Sequence, residues 1–178
     1  MSGHAASILE RLRFVAEAKK SFDSKPVWSE VPYRVSTRLS LVVALRLDGL
    51  LRGGVSMRIE TPSDAWEEDV YGHIEVRAAG MTRALRVIPI EWRPTRFHDN
   101  PPNAPAAHRN QRLWDRYMPF EINAQHGLGA FDQSTSGIAI ELPQQPTNFR
   151  EYTDLCSRLW NCPDLLDLDP PPWTRKML

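Results

Sequence analysis

Two cysteines, Cys156 and Cys162, are all that this chain holds in 178 residues. That is too few for a disulfide framework or a four-thiolate zinc site. No apolar run approaches the roughly 20 residues needed to span a bilayer. The opening Met1-Ser-Gly-His-Ala-Ala-Ser leads into an amphipathic stretch with Glu10, Arg11, Arg13 and Glu17, where a signal peptide would show an unbroken apolar core. No internal repeat recurs, and 22 basic side chains balance 22 acidic ones. A hydrophobic content of 42% with 25% charge is that of an ordinary globular chain. The expectation is a soluble cytoplasmic protein with reduced thiols and no membrane partner.

Proline is also scarce at first: twelve of the 15 lie from Pro89 onward. The residues before it carry regular patterns. Ser7-Ile-Leu-Glu10 reads as a capping box, with Ile8, Leu12 and Val15 as the apolar stripe of a helix over Ser7–Phe22. From Val27 to Trp92 the period changes to two. Leu39, Leu41, Val43, Leu45 and Leu47 alternate against Arg38 and Arg46, and Asp48-Gly49 signals a tight turn. Val55, Met57 and Ile59, then Val70, Ile74 and Val76, then Ala84–Trp92 give further strands. His73 falls on the wetter face of its strand and reads as an ordinary surface histidine. Gly137–Leu142 reads as one more strand, and Asn148-Phe-Arg-Glu151 caps a helix carrying Tyr152, Leu155 and Leu159.

The expected fold is therefore α+β: an antiparallel meander sheet of about five or six strands over Val31–Leu142, with helices Ser7–Phe22 and Phe149–Trp160 packed on one face. Residues 1–163 make this single domain. Residues 164–178 are an acidic tail in which Pro170-Pro-Pro172 forms a stiff spacer that holds Trp173 against the same molecule or a neighbour.

The zero net charge hides a gradient. Residues 81–126 carry seven arginines, no lysine and four acids, whereas residues 127–178 carry four bases and seven acids. Arginine's planar fork matches phosphate or carboxylate, so the basic stretch suggests an anion site. Within it, Arg93 to His126 collects three of the five histidines and five arginines between proline breaks. Pro94, Pro101, Pro102 and Pro105 exclude a regular helix or central strand there, and a loop this long in a compact domain is usually functional or mobile.

Three chemistries fit that segment. His98, His108 and His126 with Asp99 supply metal-ligand types, but their spacing matches no compact metal signature, and neither metal nor cofactor is assigned. Acid–base or electrostatic chemistry without a metal makes His98, Asp99 and His108 the catalytic candidates. Arg93, Arg96, Asn100, Arg109 and Arg112 are then the anion-binding candidates, and Trp114 and Tyr117 add stacking surface for exposed bases. The third reading is structural, with Asp99-Asn100 as turn chemistry and His108 bonding carbonyls.

Arg96-Phe97-His98-Asp99-Asn100-Pro101-Pro102, followed by Pro105 and His108-Arg109, resembles the Asp-Asn…Pro…His stretch of TumE-like small toxins of bacterial toxin–antitoxin pairs. The match covers roughly 15 residues, and the order of strands before and helix after extends it over about residues 35–160. The family pattern has an aromatic directly before Asp-Asn and a denser histidine–lysine cluster. Here His98 and Arg109-Asn110 stand at those places. The resemblance implies a bacterial α+β protein in which Asp99 and Asn100 share a site with His108 and Arg109. With the residue chemistry above, the expected protein is RNA- or nucleotide-directed and toxin-like. The alternative is a non-enzymatic interaction module, binding a protein partner or a second copy through the sheet edge or the Trp173 tail.

Overall fold

A computed structural model describes residues 3–34, 36–65, 67–77, 83–132 and 137–173. The chain is α+β, and most of its strand residues belong to one antiparallel sheet.

Helix α1 spans Gly3–Glu17. It starts four residues before the expected Ser7 cap, because His4-Ala-Ala6 holds two strong helix formers that extend the helix upstream. Ser7 and Glu10 thus lie inside the helix, while Ile8, Leu12 and Val15 are its buried stripe as expected. It also ends earlier than Phe22. Lys20 folds back so that Nζ donates to the carbonyls of Ala16 and Ala18 at the helix end, and Lys20–Phe22 becomes strand β1 instead. Burial lowers the ammonium's pKa to about 8.

Strands β2 (Trp28–Tyr33), β3 (Ser36–Leu47), β4 (Leu50–Pro62), β5 (Val70–Val76) and β6 (Leu85–Trp92) follow. From β2 to β6 each pairs antiparallel with the next, the meander the alternation predicts. Asp48 and Gly49 both take positive φ, 49° and 79°, as a two-residue hairpin turn requires. Among the described residues the sheet has eight strands rather than five or six. The additions are short: β1 shares the outer side of β3 with β2, and β9 (Arg116–Tyr117) and β10 (Ile140–Glu141) extend the far edge beyond β6. A separate two-stranded ribbon pairs β7 (His98–Asp99) with β8 (Arg112–Leu113).

Strand β6 contains a bulge. Gly72 pairs with Ile90 but Ile74 pairs with Val87, leaving an extra residue at Ile88-Pro89. Ile88 adopts φ 49°, an uncommon state for a β-branched side chain, and proline is tolerated where the ladder is already broken. The displaced Ile88 carbonyl accepts a 2.8 Å bond from Trp160 Nε1.

Helix α2 spans Phe120–Gln125 and α3 spans Phe149–Leu159. The second capping box forms with a shift of one residue: Asn148 Oδ1 accepts from Glu151 N at 3.0 Å, and Glu151 in return accepts from the backbone N of Thr147, just before the cap. Asn161, at φ 51°, turns the chain after the helix. Ile8, Leu12 and Val15 of α1 and Phe149, Tyr152 and Leu155 of α3 enter one buried cluster with alternate residues of β3–β6. Gly72 makes the closest approach possible, since a Cβ there would lie 2.7 Å from both Trp160 and the Tyr152 hydroxyl. The acidic tail joins the same core. Leu165, Leu168 and Trp173 are buried, Trp173 packs edge-on against Phe149 at 5.6 Å, and its Nε1 donates to Thr61. Both cysteines are free and fully buried, and burial pushes the Cys162 thiol up to about 12. Among the described residues no helix is long and apolar enough to cross a membrane.

Candidate functional site

The core cluster takes one set of alternate positions on each strand; the other set faces away from it and is mostly polar, Val42 and Ala44 of β3 being exceptions. The registers align that second set into a row across the sheet: Ser40, Glu60, Tyr71, Glu91, Arg116 and Glu141, one residue from each of β3, β4, β5, β6, β9 and β10. Glu60, Tyr71, Glu91 and Arg116 of this row line a cleft of about 490 Å³. Its walls are Tyr33, Arg34 and Arg38 from the β2–β3 hairpin on one side, and Pro94, Thr95 and Arg96 from the chain after β6 on the other. Arg86 completes it.

The acids of the cleft are matched. Arg38 holds Asp69 by its side chain and its carbonyl, both at 3.0 Å. Arg58 holds Glu60 at 3.1 Å. Arg116 pairs with Glu91, and its other terminal nitrogen donates to the carbonyls of Arg96, Leu113 and Trp114 at 2.9 to 3.0 Å. Burial raises the Glu91 pKa, and the adjacent Arg116 opposes that rise. The remaining arginines differ. Among the described residues, Arg34, Arg86 and Arg96 have no carboxylate within 4.0 Å. Arg34 and Arg38 both lie over the Tyr33 ring, and Arg86 lies 5.2 Å from the centre of the Tyr71 ring. Tyr71 remains a phenol, its pKa raised by burial.

Buried nitrogens without a hydrogen-bond partner concentrate on this face. Among the described residues they are Arg38 Nε, Arg86 Nε, Arg116 Nε and His73 Nδ1. Such groups are rare in folded proteins, and each calls for a reason. His73 is the clear correction to the sequence reading: it is 1% exposed, not a surface histidine. Its ring lies tilted against Tyr71, 4.9 Å between centroids, and it meets Glu75 at 3.2 Å through Nε2. Burial lowers its pKa, so the neutral ring donates Nε2–H to a Glu75 carboxylate held down at about 2 by that bond.

The candidates read from Arg93–His126 divide. Arg96 lines the cleft, as does Arg116, which lies in the segment but was not among the chosen residues. Arg93 is a strap: it donates to the Thr147 and Glu67 carbonyls and covers the Trp92 ring. Asn100 is buried, its amide donating to the carbonyls of His108 and Ala139 and accepting from Ala139 N. Asn123 clamps the neighbouring residue likewise, through Ile138 N and O. The β7–β8 ribbon brings residues 98–100 and 108–113 together, but the two imidazoles serve different places. His98 Nε2 donates to the Gly137 carbonyl at 3.0 Å, and burial lowers its pKa. His108 lies in a separate shallow cleft with Arg112, Leu113 and Ile140. Asp99 pairs with Arg112 in an exposed contact, of a kind worth about 1 kcal/mol or less. Arg109 donates to the Ala104 carbonyl. His126 ends α2. No group of three or more potential metal ligands occurs among the described residues.

No protein-family model, curated protein or solved structure matches the chain.

Proposed function

We propose that this protein binds a phosphate-bearing ligand, RNA or a nucleotide, in the arginine cleft on the polar face of the sheet. One observation carries the reading. The cleft's acids already have arginine partners, while Arg34, Arg86 and Arg96 face it with none. Guanidinium forks in that state suit phosphate oxygens. In this reading both long helices lie across the sheet from the cleft and leave its mouth open.

The test is binding of a labelled RNA oligonucleotide by fluorescence anisotropy over a salt series. Affinity should fall with salt at a slope of about −0.7 per phosphate engaged. Arg86→Gln and Arg96→Gln should each weaken binding about tenfold and shallow that slope, since a hydrogen bond to a charged group contributes about 1.5–3 kcal/mol. Arg93→Gln and Arg109→Gln should leave it unchanged. Absence of binding at low salt, or indifference to Arg86 and Arg96, would refute the reading.

A toxin-like activity is the finer proposal, with His98, Asp99 and His108 as acid–base groups. What supports it is local: the ribbon sets His98 and Asp99 opposite Leu113 and Arg112, directly after Arg96, and the Asn100 amide holds the His108 carbonyl, although the two imidazoles serve different places. Growth arrest on expression that vanishes with His108→Ala would bear it out, and normal growth with the wild-type chain would sink it.

A further inference from the structure

The β7–β8 ribbon presents an aromatic pair beside the cleft. Continuing the register of His98 with Leu113, Phe97 stands opposite Trp114. Leu113 is buried and His98 half-buried, so alternation turns Phe97, Trp114, Asp99 and Arg112 to the other side. Phe97 is 42% exposed and Trp114 56% exposed. Their rings meet edge to face, 5.9 Å apart at 80°. The Arg112 guanidinium lies 3.9 Å from the Phe97 centroid while Asp99 holds it from the side. Folding has left a large apolar pair in water, where burying each would have contributed about 2 kcal/mol or more.

The pair is fixed to the cleft. Phe97 directly follows Arg96, which lines the cleft wall. Arg116, from the cleft floor, bonds the carbonyls of Arg96 and Trp114, the residue before Phe97 and Trp114 itself. Aromatic platform and unpaired arginines thus sit on one rigid frame.

We infer that Phe97 and Trp114 form a stacking platform for an unpaired base of a single-stranded nucleic acid whose backbone phosphate occupies the arginine cleft. The inference rests on the cleft being a phosphate site and adds the ligand's class. A polyanion is favoured over an apolar protein partner because the platform is bordered by Arg96 and Arg112. A single strand is favoured over a duplex because only splayed bases offer their faces to aromatic side chains.

Three fluorescein-labelled 12-mers separate the possibilities: a uridine strand, an abasic strand of equal charge, and a perfect duplex. Wild-type protein should bind the uridine strand on the order of tenfold more tightly than the abasic one, as stacking of one base implies. Trp114→Ala and Phe97→Ala should erase that preference while leaving abasic binding and its salt slope intact. Trp114→Phe should restore most of it. Both side chains are exposed, so the circular-dichroism spectra should stay native. Arg96→Gln should weaken binding of both single strands. If Trp114→Ala binds the uridine strand as tightly as wild type, or the duplex binds as well as the single strand, the platform is refuted while the cleft stands. Equal binding of abasic and uridine strands by wild type has the same meaning. Failure of all three probes to bind removes cleft and platform together.

Discussion

Replacing Arg116 with methionine separates an arginine that builds the cleft from those that face its contents. Arg116 is buried, and it serves four acceptors: the Glu91 carboxylate and the carbonyls of Arg96, Leu113 and Trp114. Methionine fills much of the aliphatic stem's volume, so little of the loss comes from packing. What remains is a carboxylate 21% exposed without its paired cation, Arg86 acting on it only from beyond ion-pair distance, and three carbonyls without their donor. Removing one partner of such a pair costs about 3–5 kcal/mol. Against a total stability of about 5–15 kcal/mol for a domain, that is a large fraction. The cost should depend on pH with a definite sign. Glu91 already has a raised pKa from burial, and losing Arg116 raises it further. The folded variant then binds a proton that the unfolded chain releases, so its deficit is greatest at pH 8 and shrinks as pH falls towards 5. Urea unfolding at both pH values, followed by far-ultraviolet circular dichroism, measures it. An Arg116→Met variant within about 0.5 kcal/mol of wild type at pH 8 would refute the structural role, as would a deficit that grows on acidification.

His73 makes a second pH prediction. Its pKa is lowered in the fold, chiefly by burial, as is that of His98. Unfolded imidazoles take up protons near pH 6.5, so stability should be full above that value and fall as pH drops below it. His73→Gln should reduce the fall in urea midpoint between pH 7.5 and 5.5, and an undiminished fall would show that His73 does not contribute. Trp173→Ala should cost about 3–5 kcal/mol, because the ring is buried against Phe149 and bonded to Thr61. A loss below about 1 kcal/mol in thermal or urea unfolding would place the tail outside the cooperative fold.

Local patterns carried much of the architecture. Asp48-Gly49 turned as read, Asn148 and Glu151 formed their box, and the alternating strands paired in sequence order. The cleft was less legible for a physical reason. Glu60, Tyr71, Glu91 and Arg116 become neighbours only through three strand registers, and on each strand alone they read as a solvent-facing polar set. Period-two reasoning separates apolar from polar faces but cannot tell a wet face from an ionic one where side chains bury each other. That is why His73 was misplaced. The Ile88-Pro89 bulge was hidden too, since a β-branched residue at positive φ contradicts its own local preference. Arg96 was reachable because charge composition singled out its segment. Arg34 and Arg38, at a hairpin turn and in a strand, carried no such signal, and Arg86 fell within the basic stretch of residues 81–126 but outside the Arg93–His126 segment.

The two buried asparagines have a consequence for the order of folding. Asn100 and Asn123 grip Ala139 and Ile138 with side-chain amides, where a strand would use main chain. Their partners stand 39 and 15 residues away along the chain, whereas the β3–β4 hairpin closes over two residues. Ring closure over longer spans is slower and entropically costlier, so the meander can zip before either amide finds its target. The segment that brings Arg96 and Phe97 into place should then lock late, as a clasp on a finished sheet. A nascent or partly unfolded chain would possess the arginines of the strands before it possesses a cleft.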